Sequence, residues 1–351
     1  MLAAETKSTM WTAREWARAL GTYRQPSAAR GIFELIVTFP PFVAVWAAML
    51  LASSHGLFWL SFALAPLAAG LLIRLFLIQH DCGHGSFFPN KHANDWVGRA
   101  LGVLTVTPYD LWRRTHAIHH ASSGNLDRRG IGDIKTLTVR EYFARDWRGR
   151  LIYRLYRHPL VMFGLGPAYT FMVESRLPFG FMSKGAMPWV STMTTNAGIA
   201  LAAGVLILCM GFTTFIIVHV PIVVLAATMG VWLFYVQHQF EATTWDGATD
   251  WSQPEAALHG SSHYDLPLPL RWFSANIGVH HVHHLSSGVP FYRLPEILRV
   301  YPELRNVGRL TLWQSFVCVR LTLWDEETRR LLSFREARAA YADSRRVAAA
   351  A

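Results

Sequence analysis

The sequence predicts an all-α integral membrane protein in which four transmembrane helices form two hairpins under a cytoplasmic helical cap. Three observations lead to this prediction. Of the 351 residues, 52% are hydrophobic and only 16% are charged, whereas soluble domains are about a quarter charged. Long apolar runs occur as two adjacent pairs, one in each half of the chain. Apart from Arg74, the arginines lie outside these pairs, and both short links between paired runs contain none.

Each pair of apolar runs predicts a helical hairpin. The first two runs have about 20 residues or more, which at about 1.5 Å per residue crosses a hydrocarbon core of about 30 Å. Pro40 and Pro41 interrupt the first run and predict a kink or a restart of the helix. The links at 53–56 and 219–221 predict the two hairpin turns. The predicted spans are 31–54, 57–78, 196–218 and 221–236.

The polar remainder predicts the cap and the terminal segments. We expect a cap from 79–195 and 237–301, in which the short apolar stretches 100–107 and 160–173 are interfacial helices rather than spans. Residues 1–30 predict a cytoplasmic N-terminal segment, with no apolar core of a cleavable signal peptide. The last part, 302–351, predicts a cytoplasmic amphipathic segment. The domain limits are therefore 1–30, 31–301 and 302–351.

Charge predicts the orientation and excludes some classes of function. The formal net charge is +10, and the arginine-rich segments are placed in the cytoplasm by the positive-inside rule, next to anionic membrane lipids. The protein is thus expected in the inner or plasma membrane, with both termini on the cytoplasmic side. No nucleic-acid-binding motif accompanies the basic residues, so we exclude nucleic acid as a partner. The three cysteines lack CxxC spacing, which argues against disulfides and thiolate metal sites.

Three histidine clusters predict a metal centre on the cytoplasmic side. Sixteen histidines are present, and clusters with i, i+3 or i, i+4 spacing place imidazoles on one face of a helix. Burying so many imidazoles without partners would cost free energy, and imidazole is a common ligand of iron, zinc and copper. Zinc alone needs about four ligands, so eight or nine argue for two ions. The clustered residues are His80 and His84; His116, His119 and His120; and His280, His283 and His284.

Other polar residues near the clusters are weaker candidates. Asn276 stands four residues before His280 and is expected on the same helical face, where it could hold a metal-bound water. Asp81, Asp110, Glu241 and Asp265 could orient ligand imidazoles by accepting their free N–H groups, or could be solvated charges. His263 and His281 are not expected to bind metal. The isolated histidines are predicted to be packing residues; they are His55, His92, His158, His219 and His259.

The three motifs resemble those of the membrane fatty acid desaturases. Residues 79–88 (QHDCGHGSFF) resemble the first histidine box of that family. Residues 107–120 resemble the second box with its approach, and residues 276–284 resemble the third, especially in bacterial Δ12/ω-6 enzymes. The resemblance covers residues 31–301 and implies four transmembrane helices beneath a cap that holds a non-haem di-iron centre. It implies as ligands the eight clustered histidines and, after the fourth helix, His238.

The resemblance also implies a reaction and its partners. A desaturase introduces a cis double bond into an acyl chain with O₂ as co-substrate and two electrons. The acyl group is carried by a lipid, coenzyme A or acyl carrier protein, and the electrons come from a separate donor such as ferredoxin with its reductase. Because methylenes are nearly equivalent, an apolar tunnel must select the bond. Candidate tunnel residues, which could instead be packing or interface residues, are Trp112, Trp232, Trp245, Trp251, Trp272 and Phe273.

Two alternatives remain open at this stage. Di-iron hydroxylases and ketolases that act on alkanes or carotenoids have similar boxes. A histidine-rich metal transporter is a more distant alternative, because transporters place ionisable ligands within the membrane. Here the clusters lie where the predicted helices leave the bilayer. The sequence therefore favours a desaturase.

Overall fold

Four long apolar helices form the part of the molecule that is suited to a membrane. The structure is a computed structural model, and it describes residues 11–350. By length and composition, four segments can cross a membrane: Ala28–Ser54, Phe58–His84, Ala186–Met210 and Phe212–His238. The described chain is predominantly helical, as predicted. Two sheets of two and three very short strands, which the sequence analysis did not predict, join parts of the cap.

The helices and strands are numbered in chain order. The α-helices are α1 Ala13–Leu20, α2 Ala28–Ile36, α3 Phe39–Ser54, α4 Phe58–His84, α5 Lys91–Leu104, α6 Tyr109–Ser122, α7 Val139–Ala144, α8 Trp147–Tyr156, α9 Gly166–Met172, α10 Ala186–Met210, α11 Phe212–His238, α12 Gln253–His259, α13 Leu268–Phe273, α14 His280–Leu285, α15 Leu294–Val300, α16 Leu312–Cys318 and α17 Phe334–Ala350. The strands are β1 Leu137–Thr138, β2 His263–Asp265, β3 Arg309–Thr311, β4 Leu323–Asp325 and β5 Arg330–Leu332.

The first predicted hairpin is present, and its first member is divided in two. Helix α2 ends at Ile36, and α3 starts at Phe39 with Pro40 and Pro41 in its first turn. Prolines are tolerated there because the first N–H groups of a helix have no partner within it. The prolines therefore restart the helix, as the sequence predicts.

The predicted turn of the second hairpin was wrong. The helices meet at Gly211 (φ 83°), and α11 continues through Pro221 as one helix. A span limited to 221–236 would rise only about 24 Å at 1.5 Å per residue, less than a hydrocarbon core of about 30 Å. Division at Gly211 gives two helices of 25 and 27 residues instead. His219 consequently lies within α11, where its Nε2 accepts a hydrogen bond from Trp46 Nε1 at 2.9 Å.

Helix α4 is the centre of the bundle. It is the most buried of the four long helices and packs against α3, α5 and α11. Its middle carries small residues, including Ala65, Ala68, Ala69 and Gly70, all of which are buried. Small side chains let neighbouring helices approach closely in the absence of large apolar contacts. With 27 residues the helix is about 40 Å long, so its last turn extends beyond a core of about 30 Å.

The C-terminal region differs from the predicted amphipathic helix. Two parts of the segment 302–351 are α16 and α17, but between them β4 and β5 form an antiparallel pair, and β1 pairs in parallel with β4. Strand β3 pairs in parallel with β2. These pairings join segments distant in sequence, which helical periodicity does not reveal. They attach the C-terminal region to the cap.

Close packing between α5 and α6 fixes the helix that carries the second histidine cluster. A Cβ placed on Gly98 would lie 2.2 Å from Cε2 of Tyr109, a buried side chain at the start of α6. We expect Gly98→Ala to destabilise the protein by about 1–3 kcal/mol, because the ring must move in a filled interior. Thermal unfolding in detergent measures this change. Gly204→Ala is the matched control, since no atom lies within 4 Å of the added Cβ; an equal loss of stability in both variants would contradict the packing argument.

Candidate metal centre

Four helices bring nine histidines to one end of the long bundle. The last turns of α4 and α11 project from that end, and α6 and α14 lie across it in the cap. Gly85, with φ 67°, ends α4 directly after its last histidine. Helix α14 is only six residues long and is buried throughout. The histidines are His80 and His84 on α4, His116, His119 and His120 on α6, His238 on α11, and His280, His283 and His284 on α14.

The nine imidazoles form two groups. The first group consists of His80, His84, His116, His120 and His283, and the second of His119, His238, His280 and His284. Within each group, one ligand-type nitrogen from every ring lies within 4.8 Å of the others. All four members of the second group are buried, whereas His84, His116 and His120 of the first are partly exposed.

The helical spacing explains how each HxxHH motif serves both groups. On an α-helix, residue i+4 is offset from residue i by about 40°, whereas i+3 is offset by about 60° in the opposite sense. His116 and His120 therefore face the first group, and His119 faces the second. Helix α14 divides in the same way, with His280 and His284 together and His283 apart. The sequence analysis expected the histidines of each cluster to lie on one face of a helix. In the structure that face lies between the two groups, and it supplies histidines to both.

The nitrogen positions fit metal ions. Nε2 of His116 lies 3.1 Å from Nε2 of both His84 and His120, and His283 Nε2 lies 3.2 Å from His120 Nε2. In the second group, His238 Nε2 lies 3.1 Å from that of His119 and 3.0 Å from that of His280. Ligands about 2.1 Å from one ion and at right angles to one another would be about 3.0 Å apart. The spacing is that of adjacent ligands on a metal.

Hydrogen bonds donated by Nδ1 direct the Nε2 lone pairs inward. His80 Nδ1 lies 3.0 Å from Oδ1 of Asp81, and His119 Nδ1 lies 2.6 Å from Oδ1 of Asp133. His238 Nδ1 donates to the carbonyl of Gly260 at 3.2 Å. An imidazole that donates through Nδ1 has its lone pair on Nε2, and carboxylate partners make that nitrogen more basic. Converging lone pairs repel one another unless a cation lies between them, so these residues fit a bound metal.

Burial also keeps the imidazoles in the form that binds metal. It lowers the pKa of His116, His120, His280, His283 and His284 well below the usual range, and charge on neighbouring rings adds to the effect. Neutral imidazole is the metal-binding form. In the described structure, the buried Nε2 of His284 has no hydrogen-bond partner, as expected of a nitrogen reserved for a metal ion. Both groups are therefore able to hold a metal ion.

Comparison with known proteins identifies the family. The model of the fatty acid desaturase family matches residues 57–316. The chain belongs to the fatty acid desaturase family. A fatty acid desaturase of Bacillus subtilis is 43% identical over 324 residues, covering 92% of this chain and 91% of that protein. The sn-1 acyl-lipid omega-3 desaturase (ferredoxin) of Synechocystis sp. is 30% identical, covering 74% and 73%. The sn-1 oleoyl-lipid 12-desaturase of Synechocystis sp. is 29% identical, and the match covers 62% of this chain and 62% of that protein. The protein is thus a membrane oxidoreductase of the desaturase type.

Four carboxylates were predicted as possible partners of the ligand imidazoles, and one of them contacts a histidine of the two groups. Asp81 bonds to His80 through Oδ1, while its Oδ2 accepts the backbone N–H of Phe291 at 2.6 Å. Asp110 pairs with Arg99, Asp265 pairs with Arg271 and Arg309, and Glu241 is exposed. The sequence analysis missed Asp133. It follows Gly132, a left-handed residue (φ 72°) in a loop, and no helical spacing relates it to His119.

Asn276 does not share a helix with His280, contrary to the sequence prediction. Helix α14 begins at His280, and Asn276 lies in the preceding turn with φ 56°. Among the described residues, no hydrogen bond joins its side chain to a histidine, and a water-mediated role stays a prediction. His263 and His281 lie outside both groups; His263 Nδ1 contacts the carbonyl of Arg305 at 2.6 Å.

The six candidate tunnel residues lie in different surroundings. Trp112 stacks on the His116 ring with centroids 4.6 Å apart. Trp232 contacts Phe163 and Phe316. Trp245 is buried with Trp324 in the cap, and the indole N–H of Trp251 donates to the Ser123 carbonyl. Trp272 packs on Arg74 of α4, and Phe273 packs on Gly70 of α4. Phe234, which was not predicted, lies 5.1 Å from the ring of His119 and 5.3 Å from that of His238. The tunnel itself stays a prediction.

Proposed function

We propose that this desaturase introduces a cis double bond into the acyl chain of a membrane lipid at a non-haem di-iron centre. The observation that carries the proposal is the convergence of nine histidines into two adjacent groups with inward-facing nitrogens. Two groups of five and four imidazoles suit two ions, and imidazole is an established ligand of iron. A lipid-borne substrate is supported by the names of the Synechocystis relatives; acyl coenzyme A and acyl carrier protein are the alternatives.

The reaction would consume O₂, two electrons and two protons, convert CH₂–CH₂ to CH=CH and release two waters. Iron ions, when bound, would supply the oxidising power that no acid or base side chain has. The protein would orient His80 through Asp81 and His119 through Asp133, and would shield the buried second group from bulk water. For the bond attacked we propose the Δ12/ω-6 position, supported by the third histidine box and by the 12-desaturase relative. A kinked apolar tunnel would select that bond.

We also propose that the histidines, both termini and the cap lie in the cytoplasm. The histidine-bearing ends of α4 and α11 are at the same end of the two hairpins, opposite the turns at 55–57 and Gly211. Neither turn contains lysine or arginine, as the positive-inside rule requires of an outer face. The segment 31–301 would then be the catalytic unit, with 1–30 and 302–351 as cytoplasmic additions.

Fatty-acid profiling tests this function. The desaturase is expressed in a host that lacks polyunsaturated fatty acids, and a His119→Ala variant serves as the inactive control. Desaturation predicts products 2 hydrogens lighter, with the new bond at Δ12. A product that gains one oxygen atom would instead support the hydroxylase alternative, or the ketolase alternative if it also loses two hydrogens. A new bond at the ω-3 position would keep the desaturase and refute the Δ12 assignment.

We expect electron transfer from an acidic ferredoxin-type donor to weaken as salt rises. The first histidine group is reached by a surface cleft lined by His84, Lys91, Asp95 and Arg113, and the whole chain carries a charge of +10. Salt screens exposed charges over about 8–10 Å at 0.1–0.15 M, which slows encounters between opposite charges. Steady-state turnover with reduced ferredoxin, measured from 20 to 300 mM NaCl in an otherwise fixed assay, should fall about tenfold.

A charge reversal locates the docking site. Lys91→Glu should raise the KM for the donor several-fold and leave kcat nearly unchanged, because Lys91 is exposed and is not one of the grouped residues. Arg335→Glu on the distant helix α17 is the matched control. Equal effects of the two variants, or turnover independent of salt, would contradict docking at this cleft.

A further inference from the structure

A buried ion pair lies near the end of the bundle that carries the histidines. Glu34 on α2 and Arg74 on α4 are each 2% exposed, and their carboxylate and guanidinium groups are in direct contact. Arg74 Nε also donates to Thr38 Oγ1 at 3.0 Å. The second oxygen of Glu34 accepts a hydrogen bond from Arg30 at 2.9 Å. Both charges lie within spans suited to the membrane, where ionisable residues are costly and usually functional.

Arg74 connects the membrane helices to the cap. Its NH1 donates to the backbone carbonyl of Trp272, and its guanidinium lies 4.2 Å from the centroid of the Trp272 ring. Trp272 is in the last turn of α13, where a cation is favourable because it faces the negative end of the helix dipole. The planar guanidinium thus contacts three acceptors at once, on Glu34, Thr38 and Trp272. A lysine ammonium lacks this fixed fork of donors.

The segment that Arg74 holds leads directly into a left-handed turn. Ala275 has φ 47° and Asn276 has φ 56°. Ala275 N–H donates to Trp272 O and Asn276 N–H to Arg271 O, the two bonds of a Schellman motif, in which glycine is the usual left-handed residue. Alanine at this position is strained because its Cβ approaches the following carbonyl. The turn is followed after three residues by His280.

We propose that Arg74, held by Glu34, is a positioning residue for the second histidine group. Helix α4 carries His80 and His84 of the first group and, through Arg74, anchors the turn from which His280 and His284 of the second group emerge. The ion pair therefore fixes the position of α14 relative to α4, and α14 contributes His280 and His284 to the second group and His283 to the first. This inference rests on the proposed two-ion centre.

The test compares two arginines that share one carboxylate. Arg74→Lys and Glu34→Gln should lower bound iron from two toward one ion per chain and remove the Mössbauer signal of a coupled iron pair. Arg30→Gln is the matched control, because Arg30 contacts Glu34 but not Trp272. It should retain two irons, the coupled signal and activity within twofold of wild type. Measurements are made well below the unfolding temperature of every variant. If Arg74→Lys kept two irons and the coupled signal, the proposal would be overturned.

Hydrogen exchange provides a readout that does not need iron. In metal-free protein, Arg74→Lys should accelerate exchange of the amides of residues 275–280 at least tenfold, while α5 and α15 exchange as in wild type. Ala275→Gly, which removes the strain, should partly restore protection when combined with Arg74→Lys. Uniformly faster exchange over the whole molecule would show a merely structural role and refute the inference. If wild-type protein bound no iron, the di-iron proposal would fail. The role of Arg74 in holding the turn would then be judged from hydrogen exchange of residues 275–280 only.

Discussion

His119→Ala is expected to abolish desaturation and to lower bound iron from two ions per chain to about one. His119 belongs to the fully buried group of four, so its loss leaves three imidazoles in a site without access to bulk water. Removing even a partner of a ligand typically costs about 10–100-fold in metal affinity or activity, and loss of the ligand itself should cost more than about 100-fold. Metal analysis of purified protein and fatty-acid profiling measure the two effects.

Two control variants make this result specific. His116→Ala leaves four imidazoles in the first group, a number that is sufficient for one ion in many sites, so it should retain more iron than His119→Ala. His281→Ala removes a fully buried histidine that lies outside both groups and should retain both ions. If His281→Ala lost as much iron as His119→Ala, the division into two groups would be wrong.

Asp133→Asn is expected to reduce turnover by about 10–100-fold, the usual effect of removing a carboxylate that orients a ligand. Asp133 Oδ1 lies 2.6 Å from Nδ1 of His119, and both side chains are buried. Asparagine keeps the size of the side chain but removes the negative charge that makes His119 a stronger ligand. Turnover at saturating donor, together with iron content, measures the change.

Asp110→Asn is the matched control for Asp133→Asn. The sequence analysis named Asp110 as a possible partner of a ligand, but the structure pairs it with the exposed guanidinium of Arg99. Exposed ion pairs contribute only about 0–1 kcal/mol, so turnover should stay within about threefold of wild type. A larger loss in Asp110→Asn than in Asp133→Asn would contradict the assigned geometry.

The parts of the fold that follow from local chemistry could be predicted from the sequence. Apolar length predicts membrane helices, and Pro40 and Pro41 correctly predict a restart of the helix within the first span. The turn of the second hairpin could not be located in the same way. The link at 219–221 contains a proline, which typically ends a helix. In the structure a 27-residue helix continues through Pro221, because a helix that ended there would be too short to cross the bilayer. The short strand pairs depend on contacts between distant segments and leave no periodic signal.

For the candidate site, histidine spacing predicted which residues converge but not how they divide. Neighbours at i+3 and i+4 point in different directions, and this difference assigns them to different groups. The assignment can be made only once the positions of α4, α6, α11 and α14 around a common centre are known. Partners that orient the ligands were harder to predict. Asp81 is adjacent to its histidine in sequence, whereas Asp133 reaches His119 only because Gly132 turns the loop back towards α6. Tertiary folding alone brings such pairs together.

Anomalous X-ray diffraction at the iron edge, from crystals of the iron-loaded desaturase, tests the account most directly. We expect two peaks in each chain. One should lie among His80, His84, His116, His120 and His283, and the other among His119, His238, His280 and His284. A single peak, iron outside these histidines, or no iron in an enzymatically active preparation would contradict the account.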